Sequence, residues 1–372
     1  MTERKIHLGV DARSLNLPFV RGIGTYLRSL MEQLLETNSV HLTLFADRPE
    51  YPIAFSENEH AEHEIFEFRG DRFSAWEQVG LPRRAKARRV DLLFCPGTYV
   101  PLWQPVPTIV TIHDTIGWQS RSLGVRDRFI RHRLLPLAYR KCREIITISN
   151  SSKRDIEDRF SFLRNRCTVI HHGLDPSYQD ICEKPKAFRL NLPQQLSESA
   201  YVLYVGGNIP RKRPDWAIKV FSESASESAK LVMLGVDAIH HKNFLAEIPE
   251  SIRPRIVVFP FLSEEIVAAL YSHATAVLYP TLYEGFGFPV LQANAFGVPV
   301  LHSAVGSLKE LVGPSSIVVE PEDFTGWCQQ LKICFEGKRD ARAVSRLWAR
   351  TFCWEKSAEL HLQVFRRCLK VT

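Results

Sequence analysis

Short apolar runs alternate with segments of helical periodicity along most of the chain. The first run, Lys5–Val10, has the length and composition of a buried strand. After a loop, apolar residues recur at the spacing that places them on one face of a helix: Leu27, Leu30, Met31, Leu34 and Leu35. This alternation predicts the α/β class, in which a parallel sheet carries helices on its faces.

The alternation continues to the end of the chain and is interrupted once. The strands predicted before the interruption are Lys5–Val10, His41–Phe45, Asp91–Phe94, Thr108–Thr111, Glu144–Ile148 and Cys167–Ile170. The strands predicted after it are Tyr201–Val205, Leu231–Leu234, Ile256–Phe259, Ala276–Tyr279, Pro299–Leu301 and Ile317–Val319. The interruption, residues 175–199, is polar, rich in proline and without clear periodicity, so it predicts a linker with at most a short helix.

The chain is therefore expected to form two doubly wound, Rossmann-like domains, residues 1–185 and 186–353. A helix in 354–372 follows and could pack anywhere, including back on the first domain. Doubly wound sheets bind ligands at the carboxyl ends of their strands. If the two domains face each other, these ends meet at one central cleft, and the functional residues should come directly after strands.

The composition, 45% hydrophobic and 24% charged among 372 residues, is that of a soluble globular protein. The N-terminus has no apolar core of signal-peptide length. The uncharged stretch 92–112 could span a bilayer by length, but its four prolines would break a membrane helix, and we expect strand, loop and strand. Eight cysteines without a Cys-x-x-Cys pair indicate reduced thiols, so we expect a cytoplasmic protein.

The net charge of +7 is distributed unevenly. One basic cluster comprises Arg83, Arg84, Lys86, Arg88 and Arg89. A second comprises Arg121, Arg126, Arg128, Arg131, Arg133, Arg140, Lys141 and Arg143. A basic face of this kind can hold an anionic membrane surface or an acidic acceptor, or it can be a solvated helix face. Because no recognition motif accompanies the charge, nucleic acid is not an expected partner.

Two glycine-containing turns follow predicted strands and can bind an anion. The segment 22–25, Gly-Ile-Gly-Thr, precedes the first helix, whose free backbone N–H groups attract negative charge. It can equally be a flexible turn, and it lacks the three-glycine dinucleotide fingerprint. The segment 205–212, Val-Gly-Gly-Asn-Ile-Pro-Arg-Lys, joins two glycines to adjacent cations, which suits a diphosphate or, more simply, an ordinary basic turn.

The most specific pattern is Tyr-Glu-Gly-Phe-Gly-Phe-Pro-Val-Leu-Gln at 283–292, after the strand that ends at Tyr279. Pro289 fits the first turn of a helix, which places Glu284 in the preceding loop and Gln292 about one turn into the helix. The two glycines of this loop allow a ligand to approach the backbone closely. The carboxylate of Glu284 can accept hydrogen bonds from sugar hydroxyls.

With this motif the sequence resembles the large retaining glycosyltransferase family 4, the group 1 glycosyltransferases of the GT-B fold, which include bacterial mannosyltransferases and sucrose synthases. The Glu-Gly-Phe-Gly segment and its eight-residue spacing are the family's signature, and the resemblance covers nearly the whole chain. Other matching segments are 21–24 (Arg-Gly-Ile-Gly), 111–114 (Thr-Ile-His-Asp), 146–149 (Ile-Thr-Ile-Ser), 210–212 (Pro-Arg-Lys), 306–310 (Gly-Ser-Leu-Lys-Glu) and 352–355 (Phe-Cys-Trp-Glu).

The resemblance implies a donor-binding second domain and an acceptor-binding first domain. Glu284 would contact the donor sugar, Arg211 and Lys212 would bind its diphosphate, and His113 would lie near the sugar. The nucleobase is expected in the region 259–263. Residues expected to contact the donor are Gly22, Gly24, Gly207, Leu262, Gly285, Phe286, Gly287 and Gln292.

Gln292 departs from the family pattern, because a glutamate usually holds the ribose hydroxyls at this position. The carboxamide still accepts a hydrogen bond and also donates one, but it carries no charge. Donor affinity is therefore expected to differ, while the reaction class stays the same. No Asp-x-Asp motif is present, so we expect no metal and no cofactor besides the nucleotide-sugar co-substrate.

The implied reaction is transfer of a sugar with retention at the anomeric carbon, to a glycan or a lipid-linked acceptor of cell-surface polysaccharide synthesis. The resemblance favours mannose; it leaves the base, the acceptor and the oligomeric state open. One alternative is a nucleotide-sugar epimerase or hydrolase, which would consume donor without acceptor. A second is a non-catalytic nucleotide-sugar-binding protein, and a third, a nicotinamide dehydrogenase, is disfavoured by the missing glycine fingerprint.

Overall fold

The fold was analysed in a computed structural model of the chain. The structure describes residues 4–17, 20, 22–53, 55, 57–67, 75–119, 124–175, 178, 196, 199–236, 241–337 and 341–370. Arg121 of the second basic cluster and most of the predicted linker lie outside these residues. The chain forms two compact units, one of Met1–Gly173 with Cys353–Thr372 and the other of Leu174–Phe352. The first unit thus ends earlier than residue 185, and it includes the C-terminal helix.

The first unit contains a seven-stranded parallel sheet in the order β3-β2-β1-β4-β5-β6-β7. Its strands are β1 Ile6–Asp11, β2 Val40–Ala46, β3 Ala61–Ile65, β4 Leu92–Cys95, β5 Thr108–Thr111, β6 Glu144–Thr147 and β7 Cys167–Val169. Six of them were predicted to within two residues, and the strand–loop–strand prediction for 92–112 is confirmed. The order reverses between β1 and β4, which creates a crevice at their carboxyl ends.

Helices cover the faces of this sheet. They are α1 Ile23–Glu36, α2 Leu81–Ala87, α3 Ile116–Gln119, α4 Val125–Phe129, α5 Leu135–Lys141 and α6 Asn150–Arg159. Two π-helical turns, Trp76–Gly80 and Ile130–Leu134, directly precede α2 and α5. The apolar face predicted from Leu27 to Leu35 is buried in α1. Helix α6 begins at a serine cap, where Ser149 Oγ accepts a hydrogen bond from Ser152 N.

The second unit repeats this design with six parallel strands in the order β10-β9-β8-β11-β12-β13. The strands are β8 Tyr201–Val205, β9 Lys230–Leu234, β10 Ile256–Phe259, β11 Ala276–Tyr279, β12 Val300–Ser303 and β13 Ser316–Val319. All six were predicted to within two residues. The helices are α7 Pro214–Ser224, α8 His241–Glu247, α9 Glu264–His273, α10 Phe288–Phe296, α11 Phe324–Phe335 and α12 Arg342–Ala349. The order reverses between β8 and β11.

The last helix, α13 Trp354–Lys370, returns to the first unit and packs against α1. It buries an apolar face that includes Trp354, Leu362 and Phe365. Among the helices that the structure describes, none is long and apolar enough to cross a membrane.

Candidate active site

The loop after β8 lies at the crevice of the second unit and depends on glycine. Gly207 has a φ of +60°, and a Cβ atom added to it would lie 2.4 Å from the carbonyl oxygen of Gly235. A Cβ atom at Gly206 would lie 2.5 Å from Tyr204 Oη and 2.9 Å from Lys212 Cδ. The missing side chains therefore let the backbone after β8 pass close to the backbone after β9, and they leave room for the Lys212 side chain.

A short 3-10 turn, Pro210–Lys212, presents the two predicted cations. It ends at Arg213, whose φ of 54° lies in the left-handed region, and α7 begins directly afterwards. The backbone N–H of Leu282 donates to the carbonyl oxygen of Arg211 at 2.9 Å. The turn after β8 is thereby joined to the loop after β11, on the other side of the crevice.

Glu284 lies between these two cations. Its Oε1 atom accepts a hydrogen bond from Arg211 Nη1 at 2.7 Å and lies 3.9 Å from Lys212 Nζ. The Thr281 hydroxyl is 3.2 Å from the same oxygen. Arg211 also donates to the carbonyl oxygen of Tyr283. One carboxylate thus orients two cations, and the group keeps one net positive charge.

This charged group is largely enclosed, since the side chains of Arg211, Lys212 and Glu284 are 27%, 19% and 13% exposed. Burial lowers the pKa of Lys212 from its usual value, Glu284 opposes this shift and Arg211 adds to it. Lys212 Nζ also lies 5.6 Å from the centroid of the Tyr279 ring, within the range of a cation–π contact. Charges in such a low-dielectric position act more strongly on a ligand than charges in water.

Ser307 fixes the backbone of the loop that carries Glu284. Its Oγ atom lies 2.8 Å from the carbonyl oxygen of Glu284 and 2.6 Å from that of Phe286. Gly287 caps α10 with a φ of 114°, and a Cβ atom there would lie 2.3 Å from Leu308 Cδ2. Gly287 is therefore required for packing of this loop. Gly285 and Phe286 are buried beside it.

Gln292 and Leu262 are half-buried. Gln292 lies in α10, with Pro289 in the first turn as predicted, and its amide makes no hydrogen bond to the part of the chain that the structure describes. Leu262 follows β10 next to Phe261, whose ring is 55% exposed. A Cβ atom on Gly235 would lie 3.8 Å from this ring. Phe261 thus forms an exposed apolar surface at the crevice, together with Gly206, Gly207 and Gly235.

In the first unit, the two glycines predicted to approach a phosphate have different surroundings. Gly22 caps α1 with a φ of 52°, and a Cβ atom placed on it would have no described residue within 4 Å. A Cβ atom on Gly24 would lie 2.4 Å from the carbonyl oxygen of Ser14. Gly24 is therefore fixed by packing against the loop after β1, whereas Gly22 presents its backbone to solvent.

His113 follows β5 and its Nε2 atom lies 2.8 Å from the carbonyl oxygen of Pro96. Because a carbonyl oxygen only accepts, Nε2 carries the proton. Burial lowers the pKa of His113 to about 4, so the ring is neutral near pH 7 with Nδ1 unprotonated. The ring meets Tyr26 edge-on, with 5.1 Å between the ring centroids, and lies 5.6 Å from the His172 ring.

Tyr26 connects this group to the C-terminal helix, a contact that was not predicted. His361 Nδ1 lies 2.7 Å from the carbonyl oxygen of Ser357 and therefore carries the proton. His361 Nε2 then accepts from the Tyr26 hydroxyl at 2.9 Å, and that hydroxyl accepts from Thr111 Oγ1 at 3.1 Å. In the sequence, this contact is indicated by no more than the position of His361 on the apolar face of an amphipathic helix.

The two basic clusters differ in their surroundings. In the first, Arg84 and Arg88 both pair with Glu64 of the edge strand β3, which neutralises part of the charge. In the second, arginines surround exposed apolar side chains along 125–141: Val125 is 87% exposed, Phe129 57% and Leu137 53%. Among the described residues, no group of three His, Cys, Asp or Glu side chains could hold a metal ion. Metal independence remains a prediction.

Two protein families match this chain. Residues 20–178 match glycosyltransferase family 4, and residues 199–336 match the group 1 glycosyl transferases. The chain is 28% identical to an uncharacterized glycosyltransferase of Methanocaldococcus jannaschii, over 56% of this chain and 54% of the relative. It is 31% identical to an MMP alpha-(1->4)-mannosyltransferase of Mycolicibacterium hassiacum, over 71% of this chain and 66% of the relative.

A third relative, the O-antigen chain mannosyltransferase B of Escherichia coli, is 26% identical over 58% of each chain. The matches span about half the length of several of the curated relatives. Among solved structures, sucrose-phosphate synthase of Thermosynechococcus elongatus has a TM-score of 0.73 at 17% identity, covering 99% of this chain and 100% of the other. HepE of Anabaena, solved with UDP, has a TM-score of 0.71 at 16% identity, covering 98% and 100%.

These solved structures establish the fold, and the GT-B architecture implied by the resemblance is confirmed. The family matches lie on both units and cover most of the chain between them. They include the β8 turn with Arg211 and Lys212 and the loop with Glu284. The chain therefore belongs to the group 1 glycosyltransferases of family 4.

Proposed function

We propose that the protein is a retaining glycosyltransferase that moves a hexose, mannose being favoured, from a nucleotide-diphosphate sugar to a glycan or lipid-linked acceptor. The observation that carries the proposal is the enclosed group of Arg211, Lys212 and Glu284 at the crevice of the second unit. A diphosphate leaving group develops negative charge, and two oriented cations in a low-dielectric site stabilise it. Two of the relatives described above are named as mannosyltransferases, which supports mannose.

In the complex, the donor would bind the two cations that Glu284 orients in the structure described above. The diphosphate would contact Arg211 and Lys212, which leaves the Glu284 carboxylate able to accept hydrogen bonds from sugar hydroxyls. As the bond between the anomeric carbon and the phosphate oxygen breaks, the acceptor oxygen forms the new bond on the same face. The acceptor proton passes to the departing phosphate oxygen, so the step needs neither a carboxylate nucleophile nor a metal.

The nucleoside would lie on the apolar surface around Phe261, beside these cations. Its base would rest on Phe261 and Leu262, since aromatic faces stack on one another favourably. Gln292 is the candidate partner of the ribose. HepE is described as binding UDP and UDP-glucose, which supports a nucleotide-sugar donor for this chain. The roles of Gly22, Gly24 and His113 toward the donor rest on the resemblance.

The proposal is tested by incubating the protein with a panel of nucleotide sugars and a mixed acceptor extract, in chelator, and measuring released nucleoside diphosphate. Acceptor-dependent release from one donor, with an α-linked product from an α-linked donor by NMR, is the expected result. Release without acceptor would favour the epimerase or hydrolase. Donor binding without release would favour a binding protein, and release only with added divalent metal would contradict metal independence.

The variant Lys212→Ala tests whether the transfer reaction takes place at this site. Loss of one charge-assisted contact to the leaving group is expected to lower kcat about 100-fold or more. Lys219→Ala is the matched control, because Lys219 is an exposed lysine of α7 in the same unit. Equal rates for both variants would remove Lys212 from the mechanism.

We further propose that the second basic cluster holds the protein on an anionic membrane surface at the cytoplasmic face, where a lipid-linked acceptor would be found. Arginines attract anionic lipid, and exposed apolar side chains such as Phe129 add insertion into the interface. Vesicles of phosphatidylserine and phosphatidylcholine should sediment the wild-type protein, and Phe129→Ser with Arg133→Ser should sediment less of it. Equal binding to pure phosphatidylcholine would contradict an electrostatic contact.

A further inference from the structure

One arginine of the second basic cluster differs from its neighbours in its surroundings. Arg128 and Arg133 are exposed, whereas Arg131 is half-buried. It belongs to the π-helical turn Ile130–Leu134, and its backbone carbonyl oxygen accepts a hydrogen bond from Trp118 Nε1 at 2.9 Å. This bond fixes the turn against α3. Turns of this kind are rare and are frequently found at functional sites.

The guanidinium group of Arg131 lies against two aromatic rings. Its Cζ atom is 5.3 Å from the centroid of the Tyr99 ring and 5.6 Å from that of the Trp118 ring, within the range of a cation–π contact. Gly117 leaves room for the group, because a Cβ atom on this glycine would overlap Arg131 Nη1. The guanidinium is therefore held in place before a ligand arrives.

Among the described residues, this guanidinium has no hydrogen-bond acceptor and no counter-ion. Its Nε atom is buried and donates to none of them, and its terminal nitrogens form no hydrogen bond or ion pair with them. Buried donors are nearly always paired, and an unpaired one costs free energy. The nearest acid along the chain, Asp127, is exposed and forms no ion pair with Arg131. Residues 120–123, outside the described ones, read Ser-Arg-Ser-Leu and include no acid.

The groups around Arg131 come from the edge of the first sheet where ligands are expected. Tyr99 lies in the loop after β4, and Gly117 and Trp118 belong to α3, which follows β5. Parallel sheets bind their ligands at the carboxyl ends of their strands, and the resemblance assigns this domain to the acceptor. His113 also follows β5. An anion on Arg131 would therefore lie at the loops that carry the other candidate residues of this domain.

We propose that Arg131 binds a phosphate monoester of the acceptor. The Nε and Nη groups of a guanidinium donate two parallel hydrogen bonds to phosphate oxygens, so this ligand supplies the partner that Nε lacks. The exposed arginines of the same cluster attract a doubly charged group to this surface. The inference rests on the proposed transferase function, because it narrows the acceptor to a phosphorylated molecule. Phosphate binding itself can be measured without catalysis.

The experiment titrates the full chain with inorganic phosphate by calorimetry at low ionic strength. Arg211→Ala with Lys212→Ala is the background, so that these two cations of the second unit do not bind the anion. Phosphate is expected to bind this background, and adding Arg131→Gln should weaken binding about tenfold. The matched control adds Arg154→Gln instead, since Arg154 is an exposed arginine of α6 in the same unit. This control should bind phosphate like the background.

A second variant decides the outcome if Arg131→Gln does not fold. Arg131→Lys keeps the charge but loses the paired donors of the guanidinium, so it should bind phosphate more weakly than the background. Absence of phosphate binding by the background would overturn the proposal. Equal binding by the background and the folded Arg131 variant, or equal weakening by the Arg154 control, would overturn it as well.

Two further measurements separate a phosphate of the acceptor from the phosphates of a membrane. Arg131→Gln should sediment with phosphatidylserine vesicles like the wild-type protein, because the half-buried arginine is not part of the exposed surface. In the transfer assay it should raise the apparent KM for the acceptor extract about tenfold, and phosphatase treatment of the extract should abolish transfer by the wild type. Lost sedimentation with unchanged transfer, or transfer that survives phosphatase, would overturn the proposal. A chain that transfers no sugar would refute the proposed function, and the phosphate titration would still show whether Arg131 binds an anion.

Discussion

At the scale of single residues, Glu284 determines how the cations of the second unit are arranged. Without it, Arg211 and Lys212 would repel each other and would have several rotamers available. With Oε1 at 2.7 Å from one and 3.9 Å from the other, they are held in place before a ligand arrives. Charges that are fixed in advance cost little reorganisation at the moment of reaction, so the carboxylate contributes even before it contacts a sugar.

The close approach of the backbone at Gly207 to that at Gly235 can be tested by measuring the stability of a variant. Gly207→Ala places a Cβ atom 2.4 Å from the Gly235 carbonyl oxygen at a φ of +60°, and it is expected to destabilise the second unit by about 2 kcal/mol or more. Gly124→Ala should cost almost nothing, because no described residue lies within 4 Å of a Cβ atom placed on Gly124, whose φ is −59°. Thermal unfolding of the two variants compares them; equal melting temperatures would contradict the close approach of the two loops.

The amide at 292 allows a gain-of-affinity test. Gln292→Glu replaces a side chain that makes no hydrogen bond to the described residues by a carboxylate that can accept from both ribose hydroxyls. Charged hydrogen bonds exceed neutral ones by about 1 kcal/mol, so donor affinity should rise about fivefold. Calorimetry with the cognate nucleoside diphosphate and with its 2′-deoxy form measures this. Unchanged or weaker binding of the ribonucleotide would exclude Gln292 as the partner of the ribose.

At the scale of elements, the apolar strands were predictable and the polar strand was not. The twelve predicted strands consist largely of apolar residues, many of them buried, and sequence pattern detects such runs directly. The thirteenth, β3, reads Ala-Glu-His-Glu-Ile and belongs to an acidic run that could be a solvated strand or a loop. It lies at the sheet edge, where one side pairs with β2 and polar side chains face solvent. Its pairing with the arginines of α2 depends on tertiary contact, which periodicity cannot show.

The site residues follow the same rule. Arg211, Lys212 and Glu284 were each predicted from motifs that follow strands, but their contact arises because β8 and β11 are neighbours in the sheet although far apart in sequence. Ser307 lies in the segment 306–310 that matches the family, but that match does not indicate that its hydroxyl contacts the loop of Glu284. Thr281, which also contacts Glu284, lies in none of the motifs. Likewise, the histidine in α13 gives no sign in the sequence that its partner is Tyr26.

The contact of α13 with α1 predicts the effect of Tyr26→Phe. The variant removes the hydroxyl shared by His361 and Thr111 and leaves both buried groups without this partner. The first unit should lose about 1–3 kcal/mol of stability. Tyr51→Phe is a suitable control, because the Tyr51 hydroxyl makes no hydrogen bond to the described residues. If both variants melt alike, the hydrogen bonds of Tyr26 do not hold the C-terminal helix.

At the scale of the whole molecule, the described histidines that are kept neutral by a lowered pKa divide unequally between the two units. His113 and His361 lie in the first unit and His302 in the second, and burial lowers the pKa of each to about 4. The first unit also buries His172, whose pKa burial lowers well below the usual value. In an unfolded chain a histidine has a pKa near 6.5. Between this value and the lower pKa of the folded state, the unfolded chain binds protons that the folded chain does not bind.

This difference predicts how each unit responds to acid. The folded pKa values are depressed, so the full stability is present above about pH 6.5 and is lost as the pH falls toward 4. At pH 5 each histidine with a folded pKa of about 4 costs about 2 kcal/mol. The first unit has two of these and His172 as well, and burial raises the pKa of its Glu77 to about 7, which offsets roughly one histidine over this range. The first unit should therefore still weaken more than the second. Hydrogen exchange from pH 7 to 5, corrected for the intrinsic exchange rate, reads the opening free energy of each unit separately. His361→Gln, which keeps an acceptor for Tyr26, should reduce the loss in the first unit and leave the second unchanged. Equal losses in both units, or none, would mean that these histidines bind protons without unfolding.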